Sequence, residues 1–153
     1  MIYYCDSSAI AKIYLEEAGT PYMRNLRQSA DIGDVVINAI SGPEVFSALH
    51  RRYRTGDITS KTFTDARQDF DKDFEYFFTR FPVSNPIIRI AMHLIDKYPL
   101  RGYDSVQLAT ALQLQSSLRA SNGRNVTFLG SDKVLNSAAA NEGLAVINPD
   151  EQE

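Results

Sequence analysis

The chain has 153 residues, 44% of them hydrophobic and 23% charged: enough apolar material for one packed domain, and too little length for a second of ordinary size. Its net charge of −3 excludes binding a polyanion by blanket positive charge, so any contact with nucleic acid needs a local basic patch or cations bridging phosphate to acidic side chains. The lone Cys5 cannot form an internal disulfide, no basic-then-apolar leader opens the chain, and no window reaches the ~18 apolar residues of a membrane span, so a cytoplasmic protein is expected.

Met1 to Cys5 is an apolar run closed by Asp6-Ser7-Ser8, which reads as a strand ending in a helix cap, with Cys5 packed as a core thiol. Ala9, Ile10, Ile13 and Tyr14 then recur at helical spacing until Gly19-Thr20-Pro21, and a short helix covers Tyr22 to Gln28. Val35 to Ile37 is a second strand. Ser41-Gly42-Pro43-Glu44 opens a helix with Val45, Leu49 and Tyr53 on one face, ended by Gly56. A longer helix runs from Ser60 to about Phe77 with Phe63, Ala66, Phe70, Phe74 and Phe77 in one stripe. Phe78 to Val83 is a third strand, with Pro82 marking its end or an edge. Asn85-Pro86 starts a helix whose apolar face includes Ile87, Ala91 and Leu94, ending at Pro99. Arg101-Gly102-Tyr103-Asp104 turns into another, carrying Val106, Leu108, Ala111 and Leu118. Val126 to Leu129 is a strand, Ser131-Asp132 starts a helix capped by Gly143, and Leu144 to Ile147 is the last strand before an acidic tail, Asp150 to Glu153, expected to fray. Short buried strands alternating with amphipathic helices predict an α/β protein with a parallel sheet between helices.

In open α/β sheets, sites form beyond the carboxyl ends of the strands. Asp6 and Asp132 follow strands directly, Glu44 follows the second at a short distance, and Asp104 begins a helix with no strand before it. All four sit near helix N-termini, where the helix field favours negative charge. Each alone also fits a cap or first-turn acid, and Ser41-x-x-Glu44 matches a capping box. Their meaning rests on convergence: four carboxylates in one pocket repel unless a cation neutralises them, and oxygen ligands without His or Cys suit Mg²⁺ or Mn²⁺. Such an ion can activate water and polarise a phosphodiester.

Four blocks carry a family resemblance over nearly the whole chain, Ile2 to Pro149: Tyr4-Cys5-Asp6-Ser7-Ser8-Ala9-Ile10-Ala11-Lys12-Ile13-Tyr14; Glu44 with Val45-Phe46-Ser47-Ala48-Leu49; Arg101-Gly102-Tyr103-Asp104-Ser105-Val106-Gln107-Leu108-Ala109-Thr110-Ala111; and Phe128-Leu129-Gly130-Ser131-Asp132 with Gly143-Leu144 and Asn148-Pro149. In these the chain resembles the PIN-domain ribonucleases, particularly the VapC-type toxins of toxin–antitoxin pairs. The resemblance implies a three-layer α/β/α sandwich with a central parallel sheet of four or five strands, formed by residues 1–149 as a nuclease domain, with 150–153 as its tail. It implies a Mg²⁺- or Mn²⁺-dependent endoribonuclease, an RNA substrate, a small antitoxin partner and a homodimer. Asp6, Glu44, Asp104 and Asp132 match the family's acidic quartet, with Asp6, Asp104 and Asp132 as metal ligands, the first two as first choices. Ser7 matches the hydroxyl beside the first acid, and it and Arg101 are the expected substrate contacts. Gly130 is a departure, standing where relatives often carry another small or hydroxyl residue.

Other signals carry less. Asp69-x-Asp71-x-Asp73 begins like a calcium loop, but Phe74 stands where Gly is needed and Arg80 where Glu is expected, so a solvated helix face is the reading. His50 and His93 have no partner in sequence, and His50 points away from Glu44. Arg51, Arg52 and Arg54 form an exposed charged face by default, with an RNA or partner contact as the alternative. A PIN-like module that binds RNA or protein without cutting competes with the enzyme. A receiver domain lacks its lysine at Val146-Ile147-Asn148-Pro149, and a dinucleotide-binding enzyme lacks its glycine-rich turn after the first strand.

Overall fold

The computed structural model describes residues 1–152, so Glu153 of the expected tail lies outside the described residues. In chain order the elements are β1 Ile2–Cys5, α1 Ser7–Tyr14, α2 Thr20–Ser29, β2 Val35–Asn38, α3 Ser41–Arg54, α4 Ser60–Tyr76, β3 Thr79–Phe81, α5 Asn85–Lys97, α6 Gly102–Ser121, β4 Val126–Leu129, α7 Lys133–Asn141 and β5 Ala145–Ile147. The strands form one parallel sheet of order β3-β2-β1-β4-β5. This is the expected α/β sandwich, with the sheet at the upper of the two strand counts.

Period-two alternation splits the core across the two sheet faces. Ile2, Tyr4, Val36, Val126 and Phe128 pack with α5, α6 and α7 on one side. Cys5, Val35, Ile37 and Leu129 pack with α1 to α4 on the other. The aromatic stripe of α4 supplies the second core with Phe70, and Cys5 is a buried free thiol as expected. The three central strands, β2, β1 and β4, carry side chains buried on both faces, which is why their sequences are nearly continuous apolar runs rather than alternating ones.

Topology decides where a site can form. β1 connects through α1 and α2 to β2 on one flank, while β4 returns to its other flank. Chains leaving β1 and β4 therefore diverge above their carboxyl ends and leave a crevice. The ladder continues one residue into it, with the Asp6 N–H donating to the Leu129 carbonyl at 3.0 Å.

The tail does not fray at its start. Pro149–Glu151 wind into a 3₁₀ turn, and the Asp150 carboxylate meets Lys12 Nζ at 2.8 Å. Gly19 makes this docking possible: its backbone is left-handed (φ 84°), and a Cβ there would come within 2.8 Å of the Pro149 carbonyl carbon. No helix among the described residues is long and apolar enough to cross a membrane.

Candidate active site at the carboxyl edge of the sheet

Asp6, at the end of β1, is 4% exposed. Its Oδ1 caps α1, accepting from the Ala9 N–H at 2.9 Å and from the Ser8 hydroxyl at 2.6 Å. The cap reading is therefore correct for one oxygen, and it fixes the other, Oδ2, facing the crevice. Ser8 Oγ also accepts from the Ser131 N–H at 3.2 Å, tying the ends of β1 and β4 together. Asp132 caps α7 in the same manner, its Oδ1 accepting from the Leu135 N–H at 2.8 Å, but it is exposed.

Glu44 is not the capping-box residue that its spacing suggests. Ile40 occupies the cap position of α3 without a side-chain bond, and Ser41 is buried in the first turn. Ser41 Oγ and Ser7 Oγ lie 3.2 Å apart, and Gln107 Nε2 sits within 3.1 Å of both and of Glu44 Oε1. Gln107 Oε1 in turn accepts from the buried Tyr4 hydroxyl at 2.5 Å. Glu44 is thus aimed by a polar chain rooted in the core rather than by its own helix.

Asp104 lies in the first turn of α6, whose N-terminal half is buried all round from Ser105 to Ala111. That helix is pinned above the sheet by Tyr4 on Gln107 and by Asn38 Nδ2 on Thr110 Oγ1 at 2.9 Å. Threading it there brings Asp104 to the crevice, although no strand precedes it in sequence.

The four acids are coupled through Asp104. Burial raises the Asp6 carboxyl from its ordinary 3.8 to about 6; bonds from Ser8 and Ala9 oppose this, and repulsion by Asp104 and Glu44 adds to it. Burial also raises Glu44, bonding from Ser7 and Gln107 works the other way, and Asp104 repels it. Asp104 is raised by burial and by Asp132, and is relieved in part by the positive charge of Arg101. Desolvated carboxylates that repel one another are a recurring mark of functional sites.

Among the described residues, no three Asp, Glu, His or Cys side chains are gathered closely enough to hold one ion by themselves. The donors on hand are nonetheless all oxygens, and a small hard cation keeps several waters and takes only one or two carboxylates directly. Gly130 keeps the free oxygen of Asp6 uncrowded. A Cβ at that residue would fall 2.7 Å from Asp6 Oδ2 and 3.0 Å from Asn136 Oδ1. The departure at Gly130 is thus a steric requirement of the crevice. Gly130→Ala is expected to cost about 1–3 kcal/mol by overpacking, because Asp6 is clamped by its cap and cannot yield. Thermal denaturation checks this, and a variant as stable as the wild type would refute the clash.

Two grooves flank Glu44. Ser7, Ser8, Ala48 and Arg52 are among the residues lining one, and Ile40, Ser47 and Tyr103 are among those lining the other; Glu44 and Arg51 border both. Arg52 is engaged with Glu17 and Asp57, whereas Arg51 makes no ion pair among the described residues. By sequence these arginines form one exposed face, but Arg51 lies seven residues from Glu44, two turns along the same side of α3. Gln107 was equally legible at three residues from Asp104. His50 packs edge-on against Phe63 with ring centroids 4.8 Å apart, a structural role as expected.

Residues 3–127 match the PIN domain family. Ribonuclease VapC45 of Mycobacterium tuberculosis is 31% identical over 109 residues, which cover 71% of this chain and 74% of that protein. The structure of FitAcB from Neisseria gonorrhoeae superposes with a TM-score of 0.70 at 16% identity, covering 99% of this chain and all of that one. A toxin–antitoxin complex from Klebsiella pneumoniae contains a chain that superposes with a TM-score of 0.62 at 15% identity, covering 97% of this chain and 98% of the other.

Proposed function

The chain belongs to the PIN-domain family, and from that premise we propose that it is a divalent-metal-dependent endoribonuclease, the toxin of a toxin–antitoxin pair. The observation that carries this reading is the mutually repelling set of buried Asp6 and half-buried Glu44 and Asp104 above the ends of β1 and β4. Asp6 and Asp104 would hold Mg²⁺ or Mn²⁺, with Asp132 at the open rim, and the ion would supply Lewis-acid chemistry to phosphodiester hydrolysis. Glu44, half-buried with a raised pKa and held by Gln107, is suited to take a proton from attacking water. Arg101 and Arg51 supply the local positive charge that a chain of net charge −3 needs in order to receive a phosphate backbone. Ser7 braces this arrangement through Gln107 and Ser41 and reaches the groove, where a substrate contact is open to it.

The ribonuclease name of the M. tuberculosis relative supports RNA as substrate, and the K. pneumoniae complex supports a small antitoxin partner. On α5, Ile88, Met92 and Ile95 are 38%, 64% and 45% exposed at helical spacing, an unpartnered apolar stripe that supports a homodimer.

The test is cleavage of structured RNA by purified protein. Expected results are loss of cleavage in EDTA, recovery on adding Mn²⁺, and a fall of about 10²-fold or more in Asp104→Asn with Mn²⁺ present, since removing metal-site groups costs several kcal/mol. RNA binding without cleavage under all conditions would favour the non-cutting module. Cleavage indifferent to EDTA and to Asp104→Asn would sink the assignment.

A further inference from the structure

Asn136 has no part in the reading above, yet its geometry is that of a residue turned toward a ligand. It lies in α7, and its backbone N–H donates to the Asp132 carbonyl at 2.9 Å, one turn earlier. Its Nδ2 donates to the Gly130 carbonyl at 2.7 Å, and this bond orients the amide, turning Oδ1 the other way. Oδ1 is shut off from solvent and has no hydrogen-bond partner, the only buried side-chain nitrogen or oxygen among the described residues so left. Native structures rarely leave such an atom unmatched, because it has given up water and received nothing in return.

What it faces makes the orphan informative. The point where a Gly130 Cβ would sit is 3.0 Å from Asn136 Oδ1 and 2.7 Å from Asp6 Oδ2. Two acceptor oxygens, one of them on a carboxylate, therefore border a single small gap that the missing side chain leaves open. Neither can donate to the other while Asp6 is charged. A cation between or beside them would make the arrangement favourable.

We propose that Asn136 Oδ1 is a further oxygen of the cation site, contacting the divalent ion or a water bound to it beside Asp6. This rests on the metal-dependent reading above and extends it to a residue outside the acidic quartet. An amide oxygen suits the position: it offers a hard donor to Mg²⁺ or Mn²⁺ without adding a further charge to acids that already repel one another. Gly130 and Asn136 then act as a pair, the first leaving the gap open and the second lining it.

The alternative role for Asn136 is a brace, holding the Gly130 carbonyl through Nδ2 alone. Two variants separate the two roles. Asn136→Leu removes both the oxygen and the donor; Asn136→Asp keeps an oxygen in place and removes the donor. Mn²⁺ alone, titrated calorimetrically into EDTA-stripped full-length protein, is the probe, with far-UV circular dichroism establishing that each variant is folded. The expected result is that Asn136→Leu weakens Mn²⁺ binding about tenfold or more while Asn136→Asp stays within about threefold of the wild type or binds more tightly. Wild-type affinity in Asn136→Leu overturns the proposal, and so does an Asn136→Asp protein as weak as Asn136→Leu, which assigns a brace. If Asn136→Leu does not fold, a loss of about tenfold or more in Asn136→Asp overturns it by itself. If the wild type binds Mn²⁺ no better than Asp6→Asn does, the metal-dependent reading fails first and takes this inference with it.

Discussion

Asp6→Asn is expected to abolish metal-dependent cleavage and, in EDTA at neutral pH, to make the protein more stable than the wild type. Both effects follow from one carboxylate held where its charge is costly. Its folded pKa is raised from 3.8 to about 6, by burial first and then by Asp104 and Glu44. Below about pH 4 the group is protonated whether folded or not and contributes nothing. From about pH 4 to 6 only the folded state holds the proton, so stability falls as pH rises, and above about 6 the full penalty is present, on the order of 3 kcal/mol. Asparagine keeps the cap, since its Oδ1 can still accept from Ala9 and Ser8, and it turns an N–H toward the orphaned Asn136 Oδ1. A gain of about 2 kcal/mol, on the order of 6 °C in Tm, is expected at pH 7.5 and should fade toward pH 4.5. Saturating Mn²⁺ should reverse the order, because only the wild type gains binding energy. Differential scanning calorimetry at two pH values, with and without Mn²⁺, reads all of this. A destabilised variant at pH 7.5 in EDTA would show that the buried charge carries no such penalty.

The largest loss of stability is expected elsewhere, at Asp73. In sequence Asp69-x-Asp71-x-Asp73 reads as a solvated helix face, and the structure corrects that reading for one of the three. Asp69 and Asp71 are exposed, but Asp73 is buried on α4. Its carboxylate accepts from the Tyr14 hydroxyl at 2.6 Å and from both ends of the Arg27 guanidinium at 3.0 and 2.7 Å. Arg27 also lies 3.7 Å over the Phe77 ring, and Tyr14 packs edge-on against Phe70. One side chain thus fastens α1 and α2 to α4. Asp73→Ala strands a buried hydroxyl and a partly buried cation, and a cost of about 3–5 kcal/mol is expected. Asp69→Ala and Asp71→Ala should each stay within about 0.5 kcal/mol. Urea denaturation followed by circular dichroism ranks the three, and equal effects would mean that the Asp73 network adds nothing. Because α1 begins at the Asp6 cap, Asp73→Ala should also lower the yield of active protein while leaving the crevice chemistry of the folded fraction intact.

Local pattern determined a good deal. Short apolar runs bounded by turn residues marked the central strands, and helical spacing of apolar residues marked most helices, because both signals come from burial and are written in neighbouring residues. Placing Asp6 and Asp132 at a site edge needed only that each follows a strand. Tertiary structure decided the rest, wherever the partner of a residue is far along the chain. Glu44 is aimed by Gln107, 63 residues away, and not by Ser41 three residues before it. Asp104 reaches the crevice because α6 is buried between distant partners. Asp73 is distinguished from Asp69 and Asp71 only by Tyr14 and Arg27, and Gly130 is required only because Asp6 and Asn136 press in from two other elements. Periodicity reports which side of an element is buried; it carries no information on what lies across the gap, since that is set by how the sheet orders its strands and where the helices cross them.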